Sequence, residues 1–449
     1  MATSRTTFLN ETYGAYHHRD IPDADMELAK VGPGTPCGEY FRRFWHPVAV
    51  ASDLTDLPMA IRILCEDLVL FRDKSGHVGL LELHCSHRGT SLEFGLIEEN
   101  GIRCCYHGWL FAVDGRILDT PGEPPDSTYK ERLCHGAYPV HEFGGLIFAY
   151  MGPPNKMPEF PMLDTFNVPG LRLVPGGGFL APCNWLQNYE NAMDPAHTTF
   201  LHARSSGVQF STGFLEIPEL NFLPSPLGMV YIATRRVGDN IWLRMNDAIP
   251  PNLCQINRNE EDGQTEHPFW PGASTEWFVP VDDTNCVTFS FKRVPENAPD
   301  PPRRWGELVD WDDPYEERQR YPSDGSAIVT QRHIAVHDLE HLADTDRGVI
   351  MLRRLIHNGI RAVQQGQDPP NLPHKGGVVK TYTNDTVQRS PAAATPEEEK
   401  RQLQKTGLKW AKEYIEDHPD FQGVAPYTPP ARVRTPQAPK SAYFNFLRG

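Results

Sequence analysis

Two short motifs rich in metal-binding side chains, Cys85-Ser86-His87 and Cys104-Cys105-Tyr106-His107, lie early in the chain, with residues 88–103 between them. Each motif pairs a cysteine with a histidine, and each is followed by a glycine that favours a turn, Gly89 or Gly108. Two finger-like loops could therefore hold one inorganic centre. A zinc ion accepts two cysteines and two histidines, and so does a [2Fe–2S] cluster whose two irons have different ligands. Because zinc fingers usually group their cysteines and histidines separately, the mixed pairs favour the cluster.

The second motif allows two interpretations, because Cys105-Tyr106-His107 repeats the Cys-x-His form of the first motif. The chain has nine cysteines, an odd number in a long sequence, so a disulfide scaffold is not expected. We interpret the cysteines outside the two motifs as small buried hydrophobic residues.

A second group of candidate ligands follows further along the chain, where Asp194-Pro195-Ala196-His197 precedes His202. The two histidines are five residues apart, which places them about 140° apart around a straight α-helix. They can bind one metal only if the helix ends or bends, and Pro195 is a local cause for such a break. Two histidines and one carboxylate, with open coordination positions, form the facial triad of non-haem Fe(II) oxygenases.

The composition limits the class of protein. The chain has 449 residues, a net charge of −15 and 39% hydrophobic residues, which indicates a globular protein with an ample core. The acidic balance would repel phosphate backbones, so nucleic-acid binding is not expected. We find no apolar run that would span a bilayer and no apolar signal-peptide segment, so we expect a cytoplasmic protein without a membrane partner.

Local patterns divide the chain into four parts. These are an N-terminal arm at 1–40, a domain of short strands at 41–155, a mixed domain at 156–390, and a helix with a proline-rich tail at 391–449. Residues 294–327 are dense in proline and charge and predict a long loop. Thr395-Pro396-Glu397-Glu398 predicts the start of a helix that ends near Asp417.

The first pair of motifs resembles the fingerprint of Rieske iron–sulfur domains, and with the second group the chain resembles the Rieske non-haem iron oxygenases. The resemblance implies a β-rich Rieske domain, then an α+β catalytic domain with a large antiparallel sheet and flanking helices. It also implies a homotrimer or a stacked hexamer. It assigns Cys85, His87, Cys104 and His107 as the ligands of the cluster. It assigns His197 and His202 as ligands of the mononuclear iron.

The same resemblance gives two nearby residues other roles. Asp194 would not bind iron but would connect His107 of the partner subunit to His197, as an electron path between subunits. Asn191 matches a position that lies near the iron in family members that remove methyl groups.

The third iron ligand should be a carboxylate well downstream. The candidates are Asp310, Asp312, Asp313, Asp324, Asp338, Glu340, Asp344 and Asp346. The element Glu340-His341-Leu342 resembles the phthalate-dioxygenase-like branch of the family, in which the ligand precedes this element, and this favours Asp324. A turn residue in Pro322-Ser323-Asp324-Gly325 would look the same in the sequence.

The resemblance implies the oxygenase (alpha) component of a multicomponent enzyme that uses O2 and electrons from NAD(P)H. The chain has no nucleotide-binding Gly-x-Gly-x-x-Gly motif and no second set of ferredoxin cysteines, so a separate flavin and iron–sulfur reductase, or a ferredoxin, is the expected partner. We expect O-demethylation of a methoxylated, lignin-derived aromatic acid. The alternatives are ring dioxygenation of a phthalate-like acid and, if both motifs are coincidental, a zinc-stabilised binding protein.

A carboxylate substrate would require a basic side chain in the substrate pocket. Arg235, Arg236 and Arg244 lie in the predicted catalytic domain, although such arginines more often belong to solvated strand edges.

Overall fold

The computed structural model describes residues 9–16, 21–301, 306–307, 313–373 and 376–418. Its strands are β1 Trp45–Val50, β2 Met59–Ile63, β3 Glu66–Arg72, β4 Val78–Glu82, β5 Leu96–Glu98, β6 Gly101–Arg103, β7 Leu110–Phe111, β8 Ile117–Asp119, β9 Ala137–Tyr138, β10 Val140–Phe143, β11 Leu146–Tyr150, β12 Met162–Leu163, β13 Leu171–Ala181, β14 Glu219–Pro224, β15 Met229–Val237, β16 Asn240–Ile249, β17 Leu253–Ile256, β18 His267–Pro271, β19 Ser274–Asp282, β20 Asn285–Pro295, β21 Gly306–Glu307, β22 Val378–Val379 and β23 Asn384–Arg389. Its α-helices are α1 Met26–Ala29, α2 Pro36–Phe41, α3 Tyr129–Arg132, α4 Trp185–Asn191, α5 His197–Thr199, α6 Tyr315–Arg320, α7 Asp324–Val329, α8 Arg347–Gln364 and α9 Pro396–Asp417.

Strands β1–β11 form three small antiparallel sheets. Their strand orders are β1-β11-β10, β2-β3-β4-β9 and β5-β6-β7-β8. The loops between β4 and β5 and between β6 and β7 carry the two cysteine–histidine motifs. Cys85 and Cys104 belong to the hydrophobic core below these loops, together with Leu81, Ile102 and Phe111. The strands therefore present both motifs from one packed platform.

A ten-stranded sheet organises the described chain from residue 171 to residue 389. The main order is β14-β15-β16-β17-β19-β20-β13-β21, and β23 joins β16 to β18. The pairings are antiparallel except for the short parallel contact of β13 with β21. Long antiparallel strands of this kind can pack different partners on their two faces.

The two faces of the large sheet do have different partners. On one face, Tyr231 and Ala233 of β15 share a core with Trp185 of α4. On the other face, Ile232 packs with Tyr414 of α9. Because side chains alternate along a strand, one sequence can serve both faces. The chain that follows α4 carries His197 and His202, so the second group of candidate ligands lies on this face of the sheet.

These observations confirm the predicted fold class, a β-rich N-terminal region followed by an α+β region with a large antiparallel sheet. The proposed domain boundaries stay a prediction, and the tail after His418 lies outside the described residues.

Helix α9 begins after Thr395, whose hydroxyl accepts a hydrogen bond from the Glu398 N–H, as the sequence predicts. All nine cysteines lie in the described part and are unbridged. Outside the two motifs, Cys65 is half-buried and Cys134 is exposed, so the prediction of burial is wrong for Cys134. None of the described helices is long and apolar enough to span a bilayer.

The prediction of one long loop over residues 294–327 is wrong. The segment contains α6 and the first residues of α7, and its residues 302–305 and 308–312 lie outside the described part. Charged residues are good helix formers when they pair along a helix, as Arg320 and Glu316 do at 2.5 Å. Charge density alone did not distinguish this helix from a loop.

Close packing of α2 on α8 generates a test of the fold. A Cβ atom added to Gly359 would lie 2.4 Å from the ring of Tyr40, which is fully buried. Alanine normally stabilises a helix relative to glycine by about 1 kcal/mol, but here overpacking should outweigh that gain. We expect Gly359→Ala to lower the free energy of unfolding in urea by about 1–3 kcal/mol.

The neighbouring Asn358 is exposed on the same helix and provides the control. Asn358→Ala should leave stability within about 0.5 kcal/mol or raise it slightly. Equal stabilisation by the two substitutions would contradict the packing seen between α2 and α8.

Candidate metal centres

The two cysteine–histidine motifs fold into similar tight turns. The Gly89 N–H donates to the carbonyl of Cys85 at 2.7 Å, and the Gly108 N–H donates to the carbonyl of Cys104 at 3.1 Å. Both glycines have φ near +75°, at 75° and 77°, a conformation that other residues rarely adopt. The turns place Cys85 and Cys104 at the base of the loops, where each is 3% exposed.

The chemistry of the four predicted ligands fits a [2Fe–2S] cluster. The rings of His87 and His107 meet edge to face, with centroids 4.6 Å apart, and His87 stacks on Trp109. Nδ1 of His87 is buried and has no hydrogen-bond partner among the described residues, as expected for an atom reserved for a metal. Burial and the adjacent Cys104 thiol raise the pKa of Cys85 to about 11. The positive charge of a bound metal would offset the cost that burial places on the negatively charged thiolates.

The structure separates the two adjacent cysteines of the second motif. Cys104 is buried and interacts with Cys85, whereas Cys105 is exposed. The burial therefore supports Cys104 as the ligand. Its role stays a prediction, tested below.

The helix that carries the second group of candidate ligands is broken, as Pro195 predicts. After α4 ends at Asn191, the short α5 begins at His197, and the chain then widens into a π-helical turn at Phe200–Ser205. The π turn changes the angle between successive residues, so His197 and His202 face each other, with ring centroids 5.3 Å apart.

Asp324 is the carboxylate that the fold brings to these histidines. Its Oδ1 lies 3.4 Å from Nε2 of His197 and 3.0 Å from Nε2 of His202. The three residues offer one ligand atom each, all within 4.8 Å of one another. Asp324 is the first residue of α7, which Ser323 caps through a hydrogen bond from the Ser326 N–H. Pro322-Ser323 therefore starts a helix rather than a simple turn.

The electrostatics of this triad suit a divalent cation. Burial alone would raise the pKa of Asp324, but His197 and His202 hold it well below its usual range. Burial likewise disfavours the charged form of His197, yet Asp194 and Asp324 raise its pKa to about 9. The pocket thus attracts a positive charge to the point where the three side chains meet. Two histidines and one carboxylate at that point fit a mononuclear non-haem iron.

The other candidates for the third ligand lie elsewhere or outside the described residues. Glu340 pairs with Arg353 at 2.6 Å, and Asp346 accepts from the Ala343 N–H in the turn before α8. Of the described acidic candidates, only Asp324 joins the two histidines; Asp313, Asp338 and Asp344 do not. Asp310 and Asp312 are not among the described residues.

Three neighbours hold the triad in place. The Asn191 amide donates to Oδ1 of Asp324 at 3.1 Å. Oδ1 of Asp194 accepts from the Ala196 N–H just before α5, and its other oxygen lies 3.6 Å from Nδ1 of His197. Gln209 contacts Nδ1 of His202 at 2.8 Å. Second partners of this kind fix the orientation of metal-binding histidines. Our sequence reasoning missed Gln209, because no local pattern marks it.

A half-buried ion cluster anchors the helix next to the triad. Arg353 of α8 contacts Glu190 of α4 at 2.5 Å and Glu340 at 2.6 Å. Burial raises the pKa of Glu190, while the two carboxylates raise the pKa of Arg353. The guanidinium fork suits such a two-sided contact. Glu340 was one of the predicted candidates for the third iron ligand, and the structure places it in this anchor instead.

The interpretation of the three arginines as solvated strand edges is wrong, because even the Arg236 side chain is only 17% exposed. Arg235 and Arg244 are 1% and 3% exposed and lie on the face of the sheet toward the triad. Arg236 points to the other face, where it pairs with Glu399 of α9 at 2.8 Å.

The cluster assignment leads to a paired test of the adjacent cysteines. We expect Cys104→Ser to abolish the visible absorption of the cluster and to remove its iron, because a buried ligand is lost. Cys105→Ser should keep both, because this side chain faces solvent. Iron content and the visible spectrum are measured on the two purified variants. Retention of the cluster in Cys104→Ser would reverse the assignment.

The third-ligand assignment can be tested by metal content alone. Asp324→Ala should retain the cluster iron but lose the mononuclear iron. The variant keeps only the two histidines of the three protein ligands, which should weaken iron binding. Asp344→Ala, at an exposed rival position, should retain both. Iron per chain is measured together with the cluster absorption. Loss of iron in the Asp344 variant alone would transfer the role to that residue.

Comparisons with known proteins agree with this geometry. Residues 44–139 match the family model of the Rieske [2Fe-2S] domain. Over 388 residues the chain is 43% identical to the tert-butanol monooxygenase / tert-amyl alcohol desaturase oxygenase subunit of Aquincola tertiaricarbonis, covering 80% of this chain and 81% of that protein. It is also 43% identical to the phenoxybenzoate dioxygenase subunit alpha of Ectopseudomonas oleovorans, covering 80% and 90%. Identity to the 5,5'-dehydrodivanillate O-demethylase oxygenase subunit of Sphingobium is 32%, covering 81% and 86%.

Solved structures support the fold. Dicamba monooxygenase bound to 3,6-dichlorosalicylic acid aligns with a TM-score of 0.53 at 19% identity, covering 72% of this chain and 98% of that one. The oxygenase of carbazole 1,9a-dioxygenase, in complex with its ferredoxin, aligns with a TM-score of 0.51 at 18% identity, covering 79% and 100%. Together with the relatives of at least 30% identity, the two metal centres show that the chain belongs to the Rieske non-haem iron oxygenases, as an oxygenase component with a [2Fe–2S] cluster and a mononuclear non-haem iron.

Proposed function

We propose that this oxygenase component removes an O-methyl group from a methoxylated aromatic carboxylic acid, of the lignin-derived biphenyl type. The position of Asn191 carries the proposal, because its amide lies beside the iron triad and donates to Asp324. Asn191-Ala192-Met193-Asp194 resembles the corresponding segment of demethylating family members. The 32% identity to a dehydrodivanillate O-demethylase supports the same reaction.

Aromatic acids are the substrate class that four relatives support, whereas the tert-butanol monooxygenase is named for an aliphatic alcohol. Four relatives are named for phenoxybenzoate, dehydrodivanillate, phthalate and 3-chlorobenzoate, all of them aromatic carboxylates. Asn188 of α4 donates to Thr288 of β20 at 3.3 Å, and the strand register places Lys292 on the same face as Thr288. We propose Lys292 as the positive charge for the substrate carboxylate. The enclosure of Arg235 and Arg244 by aromatic rings does not favour them for that role.

The chain's own residues prepare the site for this reaction. When bound, the mononuclear iron supplies O2 activation with electrons received through the Rieske cluster. Gln209 holds the ring of His202, and Asn191 holds the carboxylate of Asp324. Asp194 faces Nδ1 of His197 and leaves its Nε2 directed at the triad centre. The geometry of the ligands is thus set before substrate binds.

We also propose a head-to-tail ring of subunits, a homotrimer or a stacked hexamer of two trimers. Exposed apolar side chains lie in or beside the two loops with the cysteine–histidine motifs, at Phe94, Leu96 and Tyr106. Others, Phe200 and Ile217, lie in or near the helical segment 197–205 that carries His197 and His202, here called the iron helix. Two unlike apolar surfaces on one chain suit a heterologous contact that closes into a ring.

In such a ring the electron path would cross the subunit contact. We propose that Asp194 connects His107 of the partner subunit to His197, as the resemblance implies. Asp194 is about one-third exposed at its side chain, so it can reach a partner while it contacts His197. A separate reductase or ferredoxin supplies the electrons, as it does in the family.

Dioxygenation of an aromatic acid is the second candidate function. The 43% identity to a phenoxybenzoate dioxygenase favours it over the 32% identity to the O-demethylase. The equal identity to a tert-butanol monooxygenase shows that overall similarity does not separate these reactions. Membership of the family replaces the alternative of a zinc-stabilised binding protein.

A product assay distinguishes the two candidates. The iron-loaded protein is combined with a flavin and iron–sulfur reductase, NADH and a panel of methoxylated and carboxylated aromatic compounds. We expect formaldehyde together with a product that lacks one methylene unit. Hydroxylated products without formaldehyde would establish dioxygenation and contradict the role proposed for Asn191.

The assay has an internal control in His197→Ala. This variant should lose turnover with every substrate while the cluster spectrum stays intact, because one iron ligand is missing and the Rieske loops are untouched. Unchanged turnover would show that product formation does not depend on the triad.

A further inference from the structure

We propose that Arg235 is a positioning residue of the iron site, which holds the segment that carries His197 and His202 from the side of the large sheet. The proposal rests on these two histidines as iron ligands and is independent of the choice of substrate. Arg235 binds no ligand atom of the triad directly. It acts through the helix and the aromatic rings described below.

The first contact joins Arg235 to the helix of His197. Nη2 of Arg235 donates to Oγ1 of Thr198 at 3.1 Å, and Nε donates to the carbonyl of Glu216 at 3.0 Å. Thr198 directly follows His197, and its hydroxyl also donates to the carbonyl of Pro195 at 2.7 Å. The guanidinium thus fixes the residue next to an iron ligand to the strand β15.

The second contact is a column of aromatic rings behind His202. The ring of His202 stacks on Phe210 with centroids 4.3 Å apart, and Phe210 meets Phe214 at 5.3 Å. The guanidinium carbons of Arg235 and Arg244 lie 5.1 Å and 4.8 Å from the Phe214 centroid. Cations over an aromatic face attract it electrostatically, more strongly when water is absent. Both arginines therefore hold the ring that supports the ligand.

The burial of Arg235 is hard to explain by stability alone. Arg244 has Asp385 at 3.6 Å as a counter-charge, whereas the hydrogen-bond partners of Arg235 in the described chain are uncharged. Its Nη1 is buried and without a hydrogen-bond acceptor among the described residues. Burial and the neighbouring Arg244 lower the pKa of Arg235 to about 9. An unpaired buried cation is unfavourable, so a gain in function explains its presence better.

Removal of Arg235 should leave few unsatisfied groups. The carbonyl of Glu216 keeps a hydrogen bond from Oγ1 of Thr199, and Thr198 keeps its bond to Pro195. We therefore expect Arg235→Met to leave the melting temperature of the iron-free protein unchanged or higher. A purely structural residue of this size and burial would lower it.

The test measures the iron site rather than turnover. We expect Arg235→Met to release mononuclear iron to a chelator about 10- to 100-fold faster than the unsubstituted protein, with the cluster absorption unchanged. The electron paramagnetic resonance line shape of the ferrous site with bound nitric oxide should change as well. Thr198→Val removes one contact and leaves the cation, and it should shift both readouts in the same direction.

The matched control is Arg236→Met, the next residue on the opposite face of the sheet. It should change neither iron release nor the line shape. If Arg235→Met and Arg236→Met behave alike, the proposal is overturned. If Arg235→Met does not fold, unchanged iron release in Thr198→Val overturns it instead. His202→Ala is measured in parallel, because retention of mononuclear iron there would mean that the ligand assignment itself has failed.

Discussion

Three donor atoms must meet at one point, and regular helix geometry does not allow it here. His197 and His202 would project to different sides of a continuous α-helix. The change from α5 to a π turn at Phe200–Ser205 brings their rings to 5.3 Å. Asp324 then closes the site from the start of α7. A π turn replaces the usual hydrogen bonds of an α-helix with i→i+5 bonds and is rare, so we expect surrounding residues to support it.

That support comes from both sides of the iron helix. Arg353 ties α4 to α8 through Glu190, while Arg235 ties α5 to the large sheet through Thr198. Two charged residues thus anchor the neighbouring helices α4 and α5. Ionic anchors are directional, and this suits them to positions where a side chain must keep one orientation.

The parts of the molecule that sequence could predict are those whose residues are close in the chain. The cluster motifs and the pair His197 and His202 are local, and the family resemblance added the fold around them. Asp324 needed the resemblance, because 122 residues separate it from His202 and its surroundings look like a turn. Gln209 and Arg235 act through contacts that only the π turn and the sheet register create. Charge and proline density misled the prediction for 294–327, since neither reports on helix pairing such as that of Glu316 with Arg320.

The face of the large sheet toward α4 combines a hydrophobic core with the polar site, whereas the opposite face is packed by α9. Behind the sheet, Tyr414 of α9 packs on Ile232 in an apolar layer. In front of it lie the triad, the polar side chains around Asn188, and Arg235, which has no ion pair among the described residues. Natural proteins keep such groups where a site requires them and gain their stability elsewhere. The hydrophobic cores on both faces, including the close contact of α2 with α8, therefore offset the cost of the buried polar groups. Substrate specificity would then change by substitutions on the front face, with the family's two metal centres retained.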